Sequence, residues 1–549
     1  LQGMKRLPFL KKISIVLFLT LGILSATVIG NLKFSFDFSQ FFPEEDPDLT
    51  FYNEFVAEFG TDDNFLLIAV KNDNGVFEKN FLNRFDSFSQ ESKSFNFVTE
   101  GTSLTTLSYP LKTSFGYTGL PIIHIGDSTQ YQKDWDKLLE DKLFLNVLID
   151  EQANSLVLAL TTEDNLDYND SELLLNQVRS ALHRNKLTDY HILGRAFFYE
   201  AIVDMQKSEV LKTTVIASIL VFIILLLVYR SLPVVLISVA SIGLSLLLFL
   251  GLLAILGKEL NAMAAFYPVL MLIVGTSDVI HLTDSFIRKI QSGKDKYVAI
   301  VSSLKEVGLT TLLTSVTTAI GFITLLSSRL VSIREFGINA ALGVMVAYIT
   351  VICFTGALLI SMPKKRLIGQ KSVSKKWVTY LLRINTITKN NPNKIILGTL
   401  VFMLLCIYGI SLVTTNHEFK QTLPNQSNIA RDFNFFQKNY VGFRPLEIAI
   451  SAKNGYQVTD YVVAQEIEKL TNHLAKIKTI GNLQSPNLPY KIINKANNLN
   501  KSDYLRLPKD ETTFIKYQKD VNKLAGKQLA KFVNKAKDKA RINGKLQDV

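Results

Sequence analysis

Asp278 is an acid set in an apolar run long enough to cross a bilayer. Residues 264–287 read AAFYPVLMLIVGTSDVIHLTDSFI, and a spanning helix needs about 20 mostly apolar residues. A carboxylate at that depth costs roughly 2.5–3.5 kcal/mol on insertion scales, so it defaults to a functional role as a proton or ion carrier. The bland alternative is a static acid satisfied by hydroxyls. His281 lies three residues on, so the spacing puts it on a helical face shared with Asp278. Its imidazole titrates near neutrality, which makes it either a second relay group or a hydrogen-bonded packing residue. Thr310, Thr314 and Thr317 recur at helical spacing further on, with Thr311, Ser315 and Thr318 beside them. Such hydroxyls either bond backbone and neighbouring helices or line a hydrated path beside the acid, and Thr314 and Thr317 are the relay candidates. Gly275, Ser277, Gly308, Gly321, Gly337 and Gly343 are small enough to let helices pack closely.

These groups need a membrane to make sense, and the chain supplies one. Hydrophobic residues make up 48% of the 549, an ordinary share, but they cluster into runs of about 20, which a soluble protein does not contain. The runs cover 13–29, 211–229, 233–256, 264–287, 308–327, 336–362 and 395–413. The fold class is therefore a polytopic α-helical membrane protein with α/β soluble domains. Net charge is +12, yet the basic residues flank the spans, so they set topology, and no basic-aromatic motif points to nucleic acid. The two cysteines, Cys353 and Cys406, lie in apolar runs and offer neither a disulfide framework nor a metal site. Acids 44–48 without a histidine make a poor ligand cage. No Walker-type glycine loop or nucleophile elbow is present, so neither ATP nor bond-breaking catalysis is expected, and no cofactor is needed beyond a proton gradient.

Charge places the ends. Lys5, Arg6, Lys11 and Lys12 precede the first run, which reads as an uncleaved anchor in residues 1–30. Residues 31–207 form a soluble domain in which strand-like FLLIAV (65–70) and SLVLALT (155–161) alternate with helix-like 48–59, 130–141 and 171–184, an α/β pattern. Residues 208–363 hold the five-span bundle. The linker 364–393 carries Lys364, Lys365, Arg366, Lys371, Lys375, Lys376, Arg383 and Lys389 and no acid, so the positive-inside rule makes it cytoplasmic. Its KWVTYLL stretch suits a surface helix. The seventh span occupies 394–414, and 415–549 begin a second soluble domain. With a cytoplasmic N-terminus both soluble domains are extracytoplasmic, in the cell's inner membrane. Arg334 and Glu335 open the sixth span on that outer side.

The chain repeats itself. DFSQFFP (37–43) follows the first span and EFKQTLP (418–424) the seventh. Each leads into a helix-like stretch ending in an aromatic, Phe59 or Tyr440, and then a strand-like run. Internal repeats of this kind are common in transporters. The second unit stops after one span and part of a domain, so the expectation is a piece of a twelve-span protein. Its last stretch, KDKARINGK (537–545), reads as a basic helix with no closing strand.

One span, a domain, five spans and repetition resemble the resistance–nodulation–division superfamily. GTSDVIHL (275–282) resembles its Gly-x-x-x-Asp pattern in the fourth span, TSVTTAIGF (314–322) its fifth span, and REFGINAALG (334–343) the start of its sixth. The single Asp278, preceded by Ser277 and followed by Val279, looks closest to the lipid-exporter branch: the mycobacterial-membrane-protein-large, hopanoid-exporter and Patched-like members. Val279 stands where that branch often has tyrosine. The resemblance implies proton-driven export of lipids or other hydrophobic molecules, a periplasmic acceptor protein as partner, and a relay partner for Asp278 on second-half spans. It leaves two other readings open: a lipid sensor built on the sterol-sensing five-span core, and a multidrug efflux permease. A half-size protein-export accessory is disfavoured by the seventh span.

Overall fold

A computed structural model describes residues 2–35, 42–43, 45–61, 63–141, 143–364, 367, 375–413, 427–440 and 444–546, with backbone alone for 2–7 and 375–377. Residues 37–41 and 418–424 of the repeat, Glu44, and the linker residues Lys365, Arg366 and Lys371 lie outside the described residues. The chain divides into two compact units. One combines Leu1–Glu44 with Asp204–Phe419; the other combines Glu45–Val203 with Lys420–Val549.

Among the described residues seven helices are long and apolar enough to cross a membrane, all in the first unit save the start of the second of them: Pro8–Asn31, Arg195–Tyr229, Leu232–Ile255, Ala262–Gln291, Lys296–Ser327, Val331–Ser361 and Pro392–Ser411. Helices are the answer to lipid because every backbone N–H and C=O is satisfied within the segment. The second span begins earlier than its apolar run and is one helix of 35 residues. The sixth is interrupted by a π-helical turn, Val351–Thr355. There the Cys353 carbonyl accepts the Ser14 hydroxyl of the first span at 3.0 Å.

Small residues set the closest approaches. A Cβ on Gly251 would lie 2.4 Å from Ser25 of the first span, one on Gly337 2.6 Å from the Phe322 carbonyl, and one on Gly343 2.8 Å from Met271 Sδ. Gly275 would make ordinary contact with Ile242 at 3.4 Å. The packing expectation fails for Gly308 and Gly321, where a Cβ would meet nothing within 4 Å. Gly308 instead offers its carbonyl to the Tyr348 hydroxyl at 3.0 Å, and Ser277 is exposed. The spacing of small residues marked helices that pack closely without saying which of their faces does so.

In the second unit the strands are β1 (Phe65–Lys71), β2 (Val98–Thr102), β3 (Ser108–Thr113), β4 (Gly116–Pro121), β5 (Ser155–Thr162), β6 (Tyr190–Gly194), β7 (Arg444–Ser451), β8 (Ile480–Gln484) and β9 (Lys539–Leu546). One antiparallel sheet runs β2-β5-β1-β6, with β3–β4 as a separate hairpin. With helices Lys79–Glu91 and Tyr168–Arg184 this is a split β-α-β unit. The other sheet runs β7-β9-β8, so β7, β9 and β8 repeat the neighbour order of β1, β5 and β2. The expected basic helix at 537–545 is corrected to strand β9. Ala540 and Ile542 are fully buried at period two, the alternation of a strand with one face in a core.

The repeated helices are exchanged between the two sheets. Pro47–Phe59 follows the first span, yet its Glu58 accepts Lys539 of β9 at 2.8 Å and Asn534 at 2.6 Å. Asn428–Asn439 follows the seventh span and docks on β6. There Asp432 takes His191 Nδ1 at 2.8 Å and the Ile192 N–H at 3.2 Å, and Phe435 stacks on His191 at 3.8 Å. At the end of β6, Gly194 has φ 151°, and a Cβ there would lie 2.2 Å from the Phe65 carbonyl oxygen. Gly194→Ala is expected to lower the stability of this unit by more than about 2 kcal/mol, read as a shift in its chemical denaturation midpoint. An unchanged midpoint would show that β1 and β6 separate easily there.

Candidate functional site

The fourth span, Phe266–Gln291, holds Asp278 at its middle. Asn261 starts this segment by accepting the Met263 N–H at 3.0 Å. Arg288 and Lys289 close it, where cations suit the negative end of a helix. The fifth span, Lys296–Ile323, is capped by Asp295, which accepts the Tyr297 N–H at 3.1 Å. The two spans run antiparallel and are tied at three levels. Lys289 pairs with Glu306 at 2.5 Å, Ser285 donates to Ser303 at 3.2 Å, and Ser315 donates to Asp278 Oδ2 at 3.4 Å.

Asp278 is 3% exposed, and Ser315 is buried beside it. Among the described residues no ion pair engages the carboxylate. Val279 and Leu282 of the same helix are fully buried, and Tyr229 of the second span donates to the Ile280 carbonyl at 3.2 Å. The site is thus a buried acid whose carboxylate takes one hydrogen bond among the described residues, from Ser315. A carboxyl so placed can hold or give up a proton at small cost in geometry, because its partner both donates and accepts.

The other sequence candidates fall elsewhere. His281 is exposed, as are Ser277 and Asp284. Three residues turn a helix by about 300°, so His281 stands about 60° from Asp278, enough to cross from the interior to the outer face. Thr314 and Thr317 are also exposed, and each hydroxyl returns to its own helix, to the Thr311 and Thr314 carbonyls at 2.9 Å. The hydroxyl that reaches the acid is Ser315, which sequence spacing placed only among the threonines' neighbours. Ser277, His281, Asp284, Thr310, Thr314 and Thr317 give two neighbouring spans polar outer faces.

An open groove of about 520 Å³ runs along the first half of the fourth span and the facing parts of the fifth and sixth. Met263, Phe266, Ile273, Phe322 and Phe336 line it, with Thr318 as its polar member. Nothing in the sequence marked it, because its aromatics come from three separate spans.

Candidate membrane spans, one of them carrying a buried acid, together with α/β soluble structure are the make-up of a multi-span membrane transporter. Residues 124–395 match the MMPL family. The chain belongs to that family, in the lipid-exporter branch of the superfamily it resembles, and is not an enzyme. No curated protein matches the chain.

Proposed function

We propose that the protein exports lipids or other hydrophobic molecules, energised by protons that bind and leave Asp278. The observation that carries this reading is the carboxylate of Asp278, buried at mid-span with Ser315 as its hydrogen-bond partner. A buried acid lacking a cation is a poor structural element and a good proton carrier. Protonation changes what Asp278 can offer Ser315, from acceptor alone to donor as well, and that change biases how the fourth and fifth spans meet. The open apolar groove along Phe266, Phe322 and Phe336 is compatible with a hydrophobic cargo. Ser277 and His281 on the outer face of the fourth span are costly against lipid, which supports further helices packing there. The basic flanks of the first and seventh spans support a cytoplasmic N-terminus, with the soluble units on the outer side of the inner membrane. A periplasmic acceptor would then receive the cargo.

The test is an envelope lipid profile from native cells carrying wild type or Asp278→Asn, with protein level matched. A lipid that builds up on the cytoplasmic side only in the variant supports proton-driven export and names the cargo class. An unchanged profile at normal protein level overturns the reading in favour of a lipid sensor.

A further inference from the structure

We infer that the helix Lys375–Asn390, between the sixth and seventh spans, is a membrane-surface anchor that reads anionic phospholipid headgroups. This inference is independent of what the protein transports.

The helix has 16 residues, about 24 Å of length, and two unlike faces. Tyr380, Leu381, Ile384 and Ile387 fall along one stripe and are exposed by 59, 56, 45 and 51%. Thr379, Arg383, Thr386 and Asn390 fall along the neighbouring stripe, and Leu382 and Val378, exposed by 59 and 46%, lie outside the apolar one. The hydroxyls of Thr386 and Thr388 turn back to the Leu382 and Ile384 carbonyls at 2.8 and 3.0 Å, which reduces the polarity they present. An apolar stripe of this size exposed to water would be unfavourable.

Position selects the membrane as its cover. Asn391 alone separates the helix from Pro392–Ser411, the seventh span. The helix therefore ends within one residue of a segment that enters the bilayer, and a basic amphipathic helix tethered there lies in the interface with its apolar side down. Charge selects the lipid. The sequence has no acid between Glu335 and Glu418, while Lys364, Lys365, Arg366, Lys371, Lys375, Lys376, Arg383, Lys389 and Lys394 fall inside that interval. Lys364, at the start of that interval, meets Asp295 at 3.8 Å. A basic segment at a membrane surface gains about fivefold in partitioning per cation from anionic lipid, and salt screens the gain.

Tryptophan makes this measurable. The chain has 2 tryptophans, so Trp135→Phe leaves Trp377, on the helix itself, as the sole reporter. The full chain carrying that change is placed in phosphatidylcholine discs and in discs containing phosphatidylglycerol. The expected result is a severalfold drop in acrylamide quenching of Trp377 on adding phosphatidylglycerol, with quenching by bromine-labelled acyl chains rising in step. High salt, or the pair Arg383→Glu and Lys389→Glu, should remove the difference. Helical content and elution volume of the charge-reversed chain show whether it is folded, and Arg383→Gln with Lys389→Gln, which should halve the effect, serves if it is not. Equal accessibility in both lipids overturns the headgroup preference. Protection in both kinds of disc without any quenching by bromine-labelled acyl chains overturns membrane docking altogether and shows that protein, an acidic partner or a second copy, covers the helix.

Discussion

Lys495→Met is expected to destabilise the soluble unit by about 3–5 kcal/mol, and Asp141→Leu in the same chain should restore most of the loss. Lys495 and Asp141 form an ion pair with side chains 3% and 1% exposed. Ser502 donates to the other Asp141 oxygen at 2.7 Å, and the Lys495 ammonium also sits 4.4 Å from the centre of the Tyr109 ring. Asp141 ends a helix of the first repeat, whereas Lys495 and Ser502 belong to the second. The pair therefore joins the two halves of the unit, as does Tyr117, which donates to Asp520 at 2.7 Å. Removing one charge leaves the other buried alone, which costs more than the pair is worth; removing both leaves an apolar contact. Chemical denaturation of the single and double variants checks this, and a single variant as stable as wild type would show that the two halves hold together without the pair.

The same pair predicts a response to acid. Burial opposes the charge on Asp141, but the hydrogen bonds from Lys495 and Ser502 outweigh it and hold the carboxyl below its ordinary value. A carboxyl lowered on folding stabilises above its unfolded value, about 3.9, and that contribution disappears as pH falls through the lowered folded value. The stability gap between wild type and Asp141→Asn should be full at neutral pH and close in strong acid. A gap that stays constant would mean that Asp141 does not titrate with folding.

Asp278→Asn is expected to abolish proton uptake by the protein reconstituted into vesicles under an imposed pH gradient. Asparagine keeps the shape and the hydrogen bond to Ser315 but cannot carry a proton, so loss of uptake with normal folding isolates titration from packing. Ser315→Ala tests the partner. It removes the hydroxyl at 3.4 Å from the acid and should slow uptake by roughly tenfold, the scale of one neutral hydrogen bond. Thr314→Ala and Thr317→Ala should leave it near wild type, because those hydroxyls bond their own helix. Uptake unaffected in Asp278→Asn, or a larger loss in Thr314→Ala than in Ser315→Ala, would move the pathway away from the buried acid.

The sequence by itself determined the membrane class, the seven spans, the acid and the family. Each of these is written in local composition: a run of about 20 apolar residues is a span whatever surrounds it, and one carboxylate within such a run stands out against its neighbours. The repeat was legible too, since helix 47–59 and β1 have counterparts in helix 428–439 and β7. Tertiary structure decided which side of each helix faces inward. His281 and Asp278 are three residues apart, yet one is exposed and the other buried, because a 60° offset on a helix is resolved only by the neighbour that packs there. It also selected Ser315 from a run of hydroxyls that are alike in sequence. Packing alone exchanged the two repeated helices between sheets and shut Lys495 against Asp141, 354 residues apart in the chain. Strand β9 was misread as a helix because its lysines and arginine masked a period-two pattern, which becomes visible only when Ala540 and Ile542 have a core to face.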